Sequence, residues 1–137
     1  MIEVNAAMYT TLSGGTALTS LLAGTTTEYP MNIYHGQAQE GAPLPYVVFS
    51  KQSGGPTNDH GSDARELQYF VRGYAASGLT AGSIDAAASA LLHRRSITVS
   101  GMNTVWCKRE TDLENVQTPQ DGAPVYMAGA IYNIRIV

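Results

Sequence analysis

Between Glu66 and Arg72 the sequence alternates with a period of two. Leu67, Tyr69 and Val71 fall on one face, with Glu66, Gln68, Phe70 and Arg72 on the other. Such a period fits a half-buried strand and excludes a helix over the same residues. A second strand precedes it. Pro43 and Pro45 fix φ and withhold backbone donors, which places them at a strand entrance. Tyr46-Val47-Val48-Phe49 then supplies a β-favouring run. Ser53-Gly54-Gly55-Pro56 breaks that run, and Asn58-Asp59-His60-Gly61 prolongs the break with turn formers. The stretch Ala42–Tyr74 therefore predicts two strands flanking a long polar loop.

The remaining elements are predicted around this pair. Ile2–Leu12 is expected to be a short helix with Ile2, Ala6, Tyr9 and Leu12 on one side, ended by Gly14-Gly15. Leu18, Leu21 and Leu22 fit a second helical piece over 16–22, and Ile33-Tyr34 a brief strand. After the turn at Ala75–Gly78, Ile84, Ala87, Ala88 and Leu91 make an apolar helical stripe, with Thr80 or Ser83 as the expected cap. Its alanines allow close approach to a sheet. Segments 96–100 and 104–107 read as strands, Lys108–Gly122 as a polar loop, and Ala123–Val137 as the last strand region. The expected class is α+β over a single domain, 1–137: a mainly antiparallel sheet with helices packed on it and long polar hairpin loops.

This order of elements resembles the phage tail terminator family, whose members complete tails and join them to heads. The parts that carry the resemblance are a short helical N-terminus, the APLPYVV strand in Ala42–Ser50 and the Gly-rich segment Ser53–Asp63. The strand Glu66–Tyr74, the helix Leu79–Leu92 and the C-terminal hairpin Ile97–Val137 complete it. The resemblance implies a structural virion subunit without catalytic residues. It implies a ring, usually a homohexamer, between the last ring of tail tube protein and the head-completion connector. The expected location is the head-proximal end of the tail, with assembly in the host cytoplasm. A small α+β ligand-binding module and another neck component, such as a head-closure protein, stay open as alternatives.

Composition agrees with a covered surface. Charged residues make up only 14% of the chain, against about 25% in an average globular domain. The net charge of −3 offers no basic stripe for phosphate binding. Six copies at −3 each carry −18 in all, so DNA is expected to pass through the lumen without specific binding. His93-Arg94-Arg95 reads as the cationic end of a helix. The N-terminus lacks the basic start and apolar core of a signal peptide, and no apolar run reaches membrane-helix length, so no membrane association is expected.

The search for chemistry returns little. Cys107 is the lone cysteine and reads as a small buried hydrophobe. Asn58, Asp59, His60 and Asp63 carry possible hard-cation ligands, but lack the spacing and the downstream bidentate Glu of a calcium loop. His35, His60 and His93 form no helical pair for zinc. No Gly-Lys dipeptide marks a phosphate loop, and no G-x-S-x-G marks a nucleophile elbow. No metal, cofactor or enzyme activity is expected. The residues singled out for contacts between subunits or rings are Lys108, Arg109, Glu110, Asp112, Glu114 and Asp121, with Asn58, Asp59, His60 and Asp63 in the earlier loop. They crowd charge into a charge-poor chain, where it sets register and steers docking.

Overall fold

The computed structural model describes residues 2–22, 31–56, 65–99, 101, 104–118 and 122–136. In chain order the elements are α1 (Ile2–Ser13), α2 (Thr16–Thr19), β1 (Ile33–His35), β2 (Tyr46–Pro56), β3 (Arg65–Ala75), α3 (Gly78–Leu92), β4 (Thr104–Gln117) and β5 (Val125–Ile136). The strands form one sheet in the order β1-β2-β3-β5-β4. β1 runs parallel to β2, and every other pair is antiparallel. The class is α+β, with the helices on one face.

The alternation in β3 places Leu67, Tyr69, Val71 and Ala75 beneath the helices, all buried. Val47 and Phe49 from β2, and Ala130, Tyr132, Ile134 and Ile136 from β5, join them. α3 lays Ala81, Ile84, Ala88 and Leu92 on this floor. Gly73 permits the approach: a Cβ there would sit 2.5 Å from the Ile84 Cγ2. Ser77, rather than Thr80 or Ser83, caps the helix, its hydroxyl accepting from the Thr80 N–H at 3.2 Å. The helix begins at Gly78, so the residue in the extended cap conformation is the serine just before it.

α1 is rotated from the expected face. Val4, Ala7, Met8 and Leu12 are buried, while Ala6 and Tyr9 are exposed. Both sets have helical spacing, but the valine–methionine stripe offers more apolar volume to the core. Asn5, beside that stripe, accepts a 2.6 Å hydrogen bond from the otherwise buried Tyr69 hydroxyl. α2 is shorter than expected, yet Leu18 and Leu22 are buried as the helical spacing required.

At the proline-bearing entrance, Asn32 is fully buried and takes a positive φ of 53°, a conformation Asn tolerates better than most residues. Its amide donates to the Pro43 and Pro45 carbonyls at 2.7 and 2.8 Å, and its oxygen accepts from the Tyr34 hydroxyl. One buried amide thus ties β1 to the strand entrance.

Three expectations are corrected. Lys108–Gln117 is not loop but the greater part of β4, paired with β5 out to Gln117↔Val125 and interrupted by an irregularity between Arg109 and Thr111. Its residues are polar on both faces because β4 is an edge strand that the helices only partly cover. Likewise β2 continues through Gly54 and Gly55, which face Leu67 and Glu66, to Pro56. Segment 96–99 does not form a named strand. Ile97 and Val99 are buried, but pairing with β4 there is an isolated bridge, Arg95↔Cys107, after Arg94 turns the chain with φ 57°.

Candidate functional site

Two surfaces combine functional residue types with geometry. The first is the charged row of β4. Arg109 points to the helix side, where its Nη1 and Nη2 donate to the Asp85 carboxylate at 2.9 and 2.8 Å. Its Nε donates to Asp112 at 2.7 Å, and Nη2 also reaches the Gly129 carbonyl at 3.4 Å. The backbone N–H of Arg109 donates to the His93 Nδ1 at 3.0 Å. The Asp85 hydrogen bond raises the guanidinium pKa above its ordinary range, burial opposes it, and Asp112 adds to the rise. Arg109 and Asp85 are each about four-fifths covered, whereas Asp112 is 85% exposed. Arg109 is therefore a clamp between α3 and the edge strand, with Asp112 as its solvent-side partner.

The other residues of the row stand apart from that clamp. Lys108 lies over the Trp106 ring at 5.2 Å, and Glu110 accepts from the Asn133 amide at 3.3 Å, both toward the uncovered face of the sheet. Glu114 is exposed on the helix side and takes no ion-pair partner among the described residues. A cavity of about 380 Å³ between β4 and the start of α3 is lined by Gly78, Gly82, Asp85, Arg109, Asp112 and Glu114. Asp121, Asn58, Asp59, His60 and Asp63 lie outside the described residues. Asp85, which completes the clamp, was not among the expected site residues. It lies 24 positions from Arg109, and nothing in the pattern of α3 marks it.

The second surface is the sheet face opposite the helices. Tyr46 stacks on Tyr74 with centroids 5.2 Å apart, and Tyr34 meets Tyr46 edge-on at 6.1 Å. The Arg72 guanidinium lies 4.0 Å from the Phe70 ring centroid, a separation at which the ring quadrupole attracts a cation. Tyr46, Val48, Phe70, Arg72 and Tyr74 floor a groove of about 560 Å³ whose rim is formed by 36–39, 41–42 and Gln117. The Arg72 Nε is buried and meets no hydrogen-bond acceptor among the described residues. Burial, reinforced by the Tyr74 charge, raises the Tyr46 pKa. The alternation in β3 assigned Phe70 and Arg72 to this outer face. The cross-strand aromatic pairing needed the register Tyr46↔Tyr74.

Neither surface has the parts of a catalytic centre. Cys107 is fully buried, and burial pushes its thiol up to about 12, so it stays protonated at neutral pH. Among the described residues no group of His, Cys, Asp and Glu is arranged to hold a metal ion. Among the same residues no helix is long and apolar enough to cross a membrane.

Comparison with known proteins bears on these surfaces. The family model described as "Tail completion protein gp17" matches residues 6–118, from α1 to just past β4. A chain from the solved virion of a native gene transfer agent particle superposes with a TM-score of 0.74. It is 17% identical, over 98% of this chain and 94% of that chain, and the likeness establishes the shared fold. No curated protein sequence matches.

Proposed function

This chain belongs to the tail completion protein gp17 family, and from that premise we propose that it closes the tail tube as a ring and joins the finished tail to the head-completion connector. It is a structural tail protein of a phage-like virion. In the proposed reading the ring is a homohexamer, stands at the head-proximal end of the tail, and assembles in the host cytoplasm. Function resides in surfaces, with no catalytic residue. The observation that carries this is the family match over 6–118, which takes in most of α1 and all of α2, α3 and β1 to β4.

The two surfaces fit the role chemically. A ring subunit needs at least two unlike contact areas, because a head-to-tail contact that closes by rotation uses different patches on each copy. The open aromatic face and the β4 edge are such a pair. The exposed charges Lys108, Glu110, Asp112 and Glu114 sit where a neighbouring subunit or ring would read them, with Arg109 holding their strand to α3. Asn58, Asp59, His60, Asp63 and Asp121 are proposed to extend the same contacts. With −3 per subunit, the lumen lets DNA slide without retention.

The test is native mass measurement of the purified protein, alone and with tail tube protein, together with particle inspection after deletion of the gene. Closed rings that bind the tube, and unjoined heads and tails on deletion, are expected. A species that stays monomeric at high micromolar concentration with tube protein present would reject the ring.

A further inference from the structure

Back to back at one end of the sheet lie a groove and a knob. The groove is on the open face, where Tyr46, Tyr74, Phe70 and Val48 surround Arg72. The knob is on the helix face. Leu79, in the first turn of α3, is 84% exposed, and Val116, near the end of β4, is 51% exposed. Gly78, the chain neighbour of Leu79, lies against Tyr126, where a Cβ would be 3.4 Å from the ring, and Val116 is the cross-strand partner of Tyr126. Glu114, two residues along β4 on the same face, borders the knob. The register Tyr74↔Met127 and Ala75↔Tyr126 puts knob and groove on opposite sides of the same strand positions.

We propose that the knob of one copy of this chain, Leu79, Val116 and Tyr126, docks in the aromatic groove of the next, where Glu114 meets the guanidinium of Arg72. The occupant is argued from charge. The Arg72 guanidinium lines the groove with no carboxylate partner among the described residues, so an incoming acid meets an uncompensated cation. Glu114 is an exposed carboxylate with no ion-pair partner among the described residues. A carboxylate against arginine makes a charge-assisted, directional bond that fixes register. A knob bordered by one acid suits a groove that has an aromatic floor, a polar rim with Gln37, Gln39 and Gln117, and one cation. The same chain carries both, on opposite faces, so the contact repeats head to tail and cannot satisfy itself as an isologous dimer. This deepens the ring reading above and rests on it.

The experiment measures the ring population by native mass spectrometry at fixed micromolar concentration for wild type, Arg72→Glu, Glu114→Arg, the double charge swap, and Leu79→Asp. Thermal melts run in parallel. Each single variant should lower the ring population at least tenfold, and the swap should recover most of it. Leu79 is so exposed that its variant folds whatever happens at Arg72, and it decides the matter if Arg72→Glu does not fold. Rings that persist in Leu79→Asp and in folded Arg72→Glu overturn this contact while leaving the ring intact. Wild-type protein that never leaves the monomer, even with tail tube protein, overturns the ring and this contact with it.

Discussion

β3 presents two faces built from one alternating run, and they solve the burial problem differently. On the helix side, Tyr69 is wholly buried, yet its hydroxyl finds Asn5. On the other side, Arg72 keeps its head over Phe70, with a buried Nε that finds no acceptor among the described residues. The inner face is filled with apolar volume and pairs the Tyr69 hydroxyl, although the Tyr132 hydroxyl and, at the start of β3, the Arg65 Nε are also buried with no hydrogen-bond partner among the described residues. The outer face is equally aromatic but unfinished. Hydrophobic content alone does not separate a core from a contact surface; what separates the two faces here is cover, since helices lie over Tyr69 while Phe70, Arg72 and Tyr74 line an open groove.

The sharpest way to break the comparison is to empty the inner face. Tyr69→Ala should destabilise the fold by about 3–5 kcal/mol, as large-to-small aromatic truncations in cores do, measured by urea unfolding. A loss below about 1 kcal/mol would mean that the inner face is not the core. Next in size is the clamp that ties the edge strand to this face. Asp85→Ala leaves the Arg109 guanidinium partly buried without its bidentate partner and should cost about 1–3 kcal/mol. Asp112→Ala, at the exposed end of the same guanidinium, should cost less than about 0.5 kcal/mol. Equal effects from the two would refute the clamp.

The inner face also predicts a pH dependence. Burial raises the Cys107 thiol from 9.0 to about 12. The unfolded thiol loses its proton above its ordinary value while the folded one keeps it, so stability present below that value falls as pH rises toward 12. By pH 10 the loss from this group is on the order of 1 kcal/mol. The stability profile of Cys107→Ala should be correspondingly flatter between pH 8.5 and 10. An unchanged alkaline slope would show that the thiol is not sequestered. In the native wild type, a thiol reagent at neutral pH should react only after denaturant is added.

How much of this was legible followed how strongly one face was buried. β3 and the middle of α3 were readable because one apolar face repeats at the period of its element, and Cys107 because it sits in an apolar run. β4 was misread as loop beyond Cys107. An edge strand whose faces are both polar leaves no periodic apolar signal, and its backbone pairing with β5 is invisible in side-chain pattern. The rotation of α1 was ambiguous because two apolar sets shared the helical period, and only packing against the sheet chose between them. The Arg109–Asp85 clamp and the Asn32 bridge to Pro43 and Pro45 join residues far apart in sequence, which no local pattern records. Of the expected contact residues, the structure places the β4 row and shows Arg109 joined to Asp85 of α3, a tie within the fold that the sequence pattern did not mark.

The outer face should give a far smaller stability effect than the inner one. Phe70 is half-buried in the groove, with the Arg72 guanidinium over its ring. Phe70→Ser forfeits that cation–ring contact and some apolar cover, a loss of about 1 kcal/mol or less at a partly solvated site. The same change on the inner face, Phe49→Ser, removes a ring that is only 1% exposed and leaves a hydroxyl in an apolar cavity, for about 3 kcal/mol or more. Assembly should rank the two positions in reverse. Phe70→Ser should melt close to wild type and yet fail to co-sediment with tail tube protein or to form rings. A conservative Phe49→Leu, which keeps most of the buried volume, should assemble despite its lower stability. The two-by-two result is decisive because stability and assembly move in opposite directions across one sheet. If Phe70→Ser assembles normally, the outer face is ordinary solvent-facing surface, and its unpaired Arg72 Nε needs some other account than a missing partner.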